Sequence, residues 1–294
     1  MKIQSLSVVV PTNKCINQCK FCCACMVQED YKNQMDENLP FYDLYQKDYL
    51  NRLEFARDNG CNTVMLTGNG EPQQNRNFLQ QFGTLNSMLE KPFRNIEIQT
   101  TGVLLDENYL RFLRNHVRVS TISLSISSLN DEMNFKYNGT HEKHMVGIED
   151  LCEKIKKYDF NLRLSINLTD EFNPLIYTDS VTDFFKFCKE KLGADQITFR
   201  KLYISNNDSE QDNWIKEHEI NNHAYTNLIV YIKNKGVQIG VLETGAIKYS
   251  INDMSIVLDD DCMSKTLKES YKYLILRPNC KLYSLWDNKA SLIF

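Results

Sequence analysis

Cys15, Cys19 and Cys22 stand at x3 and then x2 spacing in the stretch Cys15-Ile16-Asn17-Gln18-Cys19-Lys20-Phe21-Cys22. Soft thiolates this close together suit an iron–sulfur cluster or zinc, because one tight loop can wrap a single metal centre. A four-thiolate cluster saturates every iron. Three thiolates leave one iron open, and an open iron can bind a substrate or a cofactor. Cys23 and Cys25 follow at once. Cys22-x2-Cys25 therefore leaves open a closed four-thiolate site, the arrangement of an electron-transfer or sensor protein. A zinc-bound structural loop is a third reading, with no histidine nearby to support it.

The remaining thiols are scattered. Cys61, Cys152 and Cys188 read as small buried hydrophobes. Cys262 and Cys280 lie in the C-terminal part and are too few for a second cluster. His141-x2-His144 reads as part of a solvated loop.

Such a loop needs a frame. Ile3 to Val10 is apolar and β-branched and predicts a buried strand that feeds the cysteines. Asp36 to Asn59 predicts a helix with Pro40 near its first turn and Gly60 closing it. Thr63–Thr67 predicts a second strand, ending in Gly68-Asn69-Gly70-Glu71-Pro72, and Phe78–Leu89 the next helix. Asn95 to Gly102 is a third strand, Asp106 caps a helix, and Val117–Ile126 is a fourth strand ending in Ser125-Ile126-Ser127-Ser128. A helix through Met145, Ile148, Leu151 and Ile155 turns Lys154, Lys156 and Lys157 outwards. A fifth strand, Leu162–Leu168, a helix, Val181–Leu192, and a sixth strand, Gln196–Leu202, complete the series. Six strands alternating with six helical segments imply βαβ crossovers and a parallel sheet. Parallel α/β folds gather chemistry at the carboxyl ends of their strands, where the candidate segments all fall.

Beyond Ser205 the character changes. Asn206 to Asn213 is polar, a helix is expected from Trp214 to Lys235, and short β pieces follow at Val237–Val241, Ser255–Leu258, Tyr273–Leu276 and Lys281–Leu285. Pro278-Asn279-Cys280 reads as a hairpin turn between the last two. The expected division is residues 1–205 as the core and 206–294 as a helix and hairpin cap. With 42% hydrophobic and 24% charged residues the composition is that of an ordinary globular protein. The net charge of −4 argues against a broad nucleic-acid surface. No window approaches a membrane span, and Val8-Val9-Val10 run into Pro11 without forming a signal-peptide core, so a cytoplasmic protein with reduced thiols is expected.

The cysteine spacing, with Phe21 just before the third thiol, resembles the signature of the radical S-adenosylmethionine (SAM) superfamily. Gly68-Asn69-Gly70-Glu71-Pro72 resembles its Gly-Gly-Glu-Pro segment after the second strand, with Asn69 where a glycine is common. Ser125-Ile126-Ser127 resembles the serine-bearing end of its fourth strand. The resemblance implies an α/β fold, a partial (β/α)6 TIM-like barrel with a C-terminal α+β extension. It implies a [4Fe–4S] cluster on Cys15, Cys19 and Cys22, and SAM on the fourth iron. One electron would cleave the sulfonium to a 5′-deoxyadenosyl radical that takes hydrogen from a small-molecule, nucleotide or peptide substrate. By the same resemblance Gly68 to Pro72 would meet the methionine ammonium and Phe21 the adenine. Ser125, Ser127 and Asn167, with Thr101 and Arg200 as weaker candidates, would meet the ribose or the methionine carboxylate. A flavodoxin- or ferredoxin-like donor would supply the electron.

Overall fold

Strands whose side chains alternate between apolar and polar have one oily face and one wet face, and that pattern sets this architecture. The structure, a computed structural model, describes residues 2–26, 44–205, 207–242, 246–259, 270–286 and 288–294. The chain begins with β1 (Lys2–Val9), the cysteine loop and a short helix α1 (Cys23–Met26). Then come α2 (Gln46–Asp58), β2 (Thr63–Thr67), α3 (Arg76–Met88), β3 (Asn95–Thr100) and α4 (Glu107–Phe112). They are followed by β4 (Thr121–Ile126), α5 (Asp131–Asn138), α6 (Ile148–Lys157), β5 (Asn161–Asn167), α7 (Thr178–Glu190) and β6 (Gln196–Arg200).

These six strands pair in sequence order, all parallel. Their outer residues, Val64, Leu66, Ile96, Ile98, Leu162 and Leu164 among them, are fully buried. The helices cover that face with matching stripes: Tyr49, Leu53 and Ala56 from α2, Phe78, Leu79 and Phe82 from α3, Ile148, Leu151 and Ile155 from α6. Each large side chain so buried is worth about 1.5–3 kcal/mol, so this outer layer holds the fold. Asparagine and aspartate caps fix where the helices start. Asn75, Asp106 and Asn130 accept from the backbone N–H of Phe78, Tyr109 and Met133.

The C-terminal part extends the same sheet at both edges. After α8 (Glu210–His218) and α9 (Asn222–Lys235) come β7 (Val237–Val241), β8 (Ile247–Ile251), β9 (Met254–Asp259), β10 (Ser270–Leu276) and β11 (Leu282–Tyr283). β9 lies parallel beside β6, and β10 lies parallel beside β1. The order is β11-β10-β1-β2-β3-β4-β5-β6-β9-β8-β7, an open partial barrel. β10 and β11 form the expected antiparallel hairpin. No helix among the described residues is long and apolar enough to cross a membrane.

Several expectations need correction. The helix expected over Trp214–Lys235 is two helices. Glu219 bridges to Thr169 and Asn221 caps the second helix through Ala224 N–H, so the chain turns there. β4 starts at Thr121 rather than Val117, because Val117 ends a π-helical turn and Arg118 is left-handed at φ 63°. β8 was not expected; its Tyr249 and Ile251 pack inward, but it has only five residues. α2 begins at Gln46, and the expected start at Asp36 and Pro40 lies outside the described residues, as does Cys262. Lys156 is not simply solvated, since it pairs with Asp195 at 2.7 Å.

Candidate active site

The cysteine loop is held by two other strand ends and by the end of α5. Gln74, just after β2, clamps it from both sides: its Oε1 accepts from Ile16 N–H at 2.8 Å and its Nε2 donates to Lys14 O at 2.9 Å. Asn17 is buried within the loop. Its Nδ2 donates to Thr101 Oγ1 at 2.8 Å, and its Oδ1 accepts from Thr140 Oγ1 at 3.0 Å. Thr101 in turn donates from its backbone N–H and its hydroxyl to Glu71 Oε2, both at 3.0 Å. One chain of hydrogen bonds thus ties the ends of β1, β2 and β3 to the loop after α5. Gln18 and Lys20 N–H also bond to carbonyls at the end of α5.

Two glycines permit the close approach. A Cβ on Gly70 would stand 2.4 Å from Thr12 Oγ1 and 3.3 Å from Cys15 Cα. A Cβ on Gly139 would stand 2.2 Å from Gln18 O, at a left-handed φ of 56°.

Cys15, Cys19 and Cys22 are half-buried, and Cys25 is exposed. Burial pushes the thiols of Cys15 and Cys19 up, that of Cys19 to about 12, and the charges of neighbouring thiols and Glu71 add to it. Cys22 is raised first by a side-chain hydrogen bond with Cys25 and then by burial. Glu71 is buried, which raises its carboxyl, while the Thr100 hydroxyl, Thr101 and the Gln73 backbone N–H beside it oppose the rise. Its Oε1 is buried with no hydrogen-bond partner.

Beside this loop the wet faces of the strands enclose a cavity of about 430 Å³. Gly68, Asn69 and Cys23 line its cysteine end; Glu97, Gln99 and Arg163 line its wall. Residues from β8, β9 and β10 complete it, so both edges of the open sheet face one chamber. Glu97 is buried and forms an ion pair with Arg163, which also donates from Nε to Gln196 Oε1 at 2.8 Å.

The strand-end residues singled out from sequence divide into groups. Gly68, Asn69, Gly70, Glu71, Pro72 and Thr101 adjoin the cysteine loop, with Asn69 Oδ1 accepting from Thr12 Oγ1 at 3.2 Å. Ser125 and Asn167 pair across β4 and β5, the amide donating to the hydroxyl at 2.9 Å. Ser127 is fully buried, and its hydroxyl donates to Asn138 Oδ1 at 3.1 Å, holding α5. Arg200 lines the cavity at the end of β6. Phe21 lies against Trp214 of α8, with ring centroids 6.0 Å apart. Asn17, Gln74 and Gly139 were missed; an asparagine between two cysteines was the only local sign. His141 is exposed and accepts from Lys143 N–H.

The family model for the Radical SAM superfamily matches residues 9–170. The chain belongs to the radical SAM superfamily. Its fold is that of radical SAM enzymes. SuiB of Streptococcus suis bound to S-adenosylmethionine aligns with a TM-score of 0.56 at 14% identity, over 96% of this chain and 60% of that one. Native anSMEcpe with bound AdoMet aligns at 0.57 and 14%, over 98% and 75%. Coproporphyrinogen III oxidase (HemN) of Escherichia coli, a radical SAM enzyme, aligns at 0.56 and 13%, over 88% and 63%. At such identities the likeness is one of fold, and the chain spans three fifths of the length of SuiB. No curated protein sequence matches it.

The superfamily implies a [4Fe–4S] cluster and SAM, and the donor set fits both. Cys15, Cys19 and Cys22 are three half-buried thiols on one short loop, soft donors of the kind that iron takes. Among the described residues no three His, Cys, Asp or Glu side chains converge tightly enough to hold one metal ion. The unpartnered oxygen of Glu71 is an acceptor that an ammonium group would satisfy.

Proposed function

We propose that this radical SAM protein is an enzyme that reductively cleaves SAM beside the chamber and takes hydrogen from a substrate held inside it. The observation that carries the reading is the pinned cysteine loop with the orphaned Glu71 oxygen next to it. Cys15, Cys19 and Cys22 would hold the cluster and leave one iron for SAM. When bound, the cluster supplies the electron that breaks the SAM sulfonium, and the adenosyl fragment abstracts the hydrogen.

The chain's own residues do the positioning. Glu71 accepts from the methionine ammonium, held in place by its two bonds from Thr101. Gly68 and Gly70 bring their backbone close enough to take part. Ser125 and Asn167, already paired, offer a hydroxyl and an amide to the ribose or the methionine carboxylate. Phe21, backed by Trp214, offers a ring to the adenine. A flavodoxin- or ferredoxin-like protein is the electron donor in this reading, and the setting is cytoplasmic.

A test is electron paramagnetic resonance of the anaerobically reconstituted, dithionite-reduced protein with and without SAM. A cluster signal that SAM changes supports an open iron. A signal that SAM leaves untouched contradicts it.

The hydrogen bond between Cys22 and Cys25 favours one second reading, a cluster closed by Cys25 for electron transfer or sensing. Cys25→Ala separates the two: the enzyme reading predicts that iron and sulfide content survive, and the closed-cluster reading predicts that they are lost.

A further inference from the structure

The chamber treats its cations unequally. Arg163 is matched by Glu97 and Gln196. Arg200 and Lys248 line the same cavity, yet neither has an ion pair or a side-chain hydrogen bond among the described residues, and Arg200 Nε is buried without a partner. An arginine nitrogen withdrawn from water with nothing to donate to is costly. Two such cations in one chamber of a chain with net charge −4 form a local positive field.

Register places the pair. Thr198 of β6 is opposite Val257 of β9, and Val257 is opposite Lys248 of β8. Lys248 is therefore two strand spacings sideways from Arg200 and one two-residue step below it, roughly 12 Å between backbones. An arginine and a lysine reaching from those positions bracket one anionic group. Neither residue belongs to the pinned network around Cys15, Asn17 and Glu71.

Resting on the enzyme reading above, we propose that the substrate carries an anionic group, a carboxylate or a phosphate, seated between Arg200 and Lys248. Arg200 supplies the planar fork that suits either oxyanion, and Lys248 supplies a point charge. The anion thereby fixes which end of the substrate is turned away from the cysteine loop. This reassigns Arg200 from the cofactor, where the sequence suggested it, to the substrate.

The test is calorimetric titration of the full-length, cluster-loaded protein with pyrophosphate and, separately, citrate at low salt. The two probes distinguish a phosphate site from a carboxylate site. Wild type is expected to bind at least one of them, and Arg200→Gln and Lys248→Gln are each expected to weaken that binding about tenfold, the loss of one charge-assisted contact. Lys233→Gln, on the exposed side of α9, controls for net charge and is expected to bind like wild type. Saturating SAM is expected to leave probe binding in place. The proposal is overturned if neither probe binds, if both chamber variants bind like wild type, or if SAM displaces the probe, which would return Arg200 to the cofactor carboxylate. Failure of the enzyme reading would show separately, as no 5′-deoxyadenosine from the same preparation.

Discussion

The two ends of the chamber are built on opposite principles. At the cysteine end the loop itself is held by partnered polar groups, while Glu71 Oε1 and Gln73 Nε2 are left without partners. Gln74 makes two bonds to the loop, Asn17 joins Thr101 to Thr140, and Thr101 makes two bonds to Glu71. Across the chamber, on β6 and β8, Arg200 and Lys248 stand with none among the described residues. A network satisfied within the protein can hold a fixed cofactor geometry before anything binds. Cations without counterions wait for a ligand to bring them.

Breaking the satisfied end should have the larger effects. Gly70→Val drives a side chain into Thr12 and the backbone of Cys15, so the loop must move. Iron incorporated on anaerobic reconstitution is expected to fall to about a tenth of wild type, since overpacking at a backbone contact has no cheap relief. Iron and sulfide assays read this. Glu71→Gln keeps the shape but weakens the ammonium acceptor, and SAM affinity is expected to fall about tenfold, equivalent to about 1.4 kcal/mol, in a calorimetric titration. Asn17→Ala removes the amide that Thr101 accepts from, although Thr101 keeps its bond to Glu71, and leaves the Thr140 hydroxyl without its partner, at a cost of about 1 kcal/mol. A melting temperature lowered by several degrees is the expected result.

The smallest effect sharpens the comparison from the side of α8, which carries Trp214 against Phe21. Burial of Asp212 pushes its carboxyl up, but hydrogen bonds from Ser205 and Ser209 outweigh that and hold it near the start of α8 at about 2 instead of 3.8. A carboxylate whose folded value is depressed stabilises the fold above its unfolded value. The stabilisation is complete above about pH 4 and is lost as pH falls towards about 2. Asp212→Asn should flatten that part of the stability curve, measured by urea melts at stepped pH.

Much of this was legible in the residues. The cysteine spacing, the glycine-bearing end of β2 and the alternation of strands with helices point to the right fold and to the right edge of the sheet. The polar inner face was also written in the strands, in Asn95-Ile96-Glu97-Ile98-Gln99 and in Asn161-Leu162-Arg163-Leu164-Ser165. The chamber's polarity was still hard to read, because period-2 alternation and burial on both faces occur together in an open barrel. The network through Asn17, Gln74 and Gly139 could not be read, since its partners lie up to 123 residues apart. Nor could the seating of β9 beside β6 and β10 beside β1, which is a matter of long-range register and leaves no local mark. Arg200 was legible as a strand-end cation. Its lack of a partner was visible only once β8 and β9 were in place.

The most direct test of the central claim is 5′-deoxyadenosine formation by anaerobically reconstituted protein given SAM and dithionite, with Cys19→Ala alongside. Product from wild type and none from the variant is the predicted result. Wild-type protein with a full cluster and no product would contradict the account and point to a closed four-thiolate site.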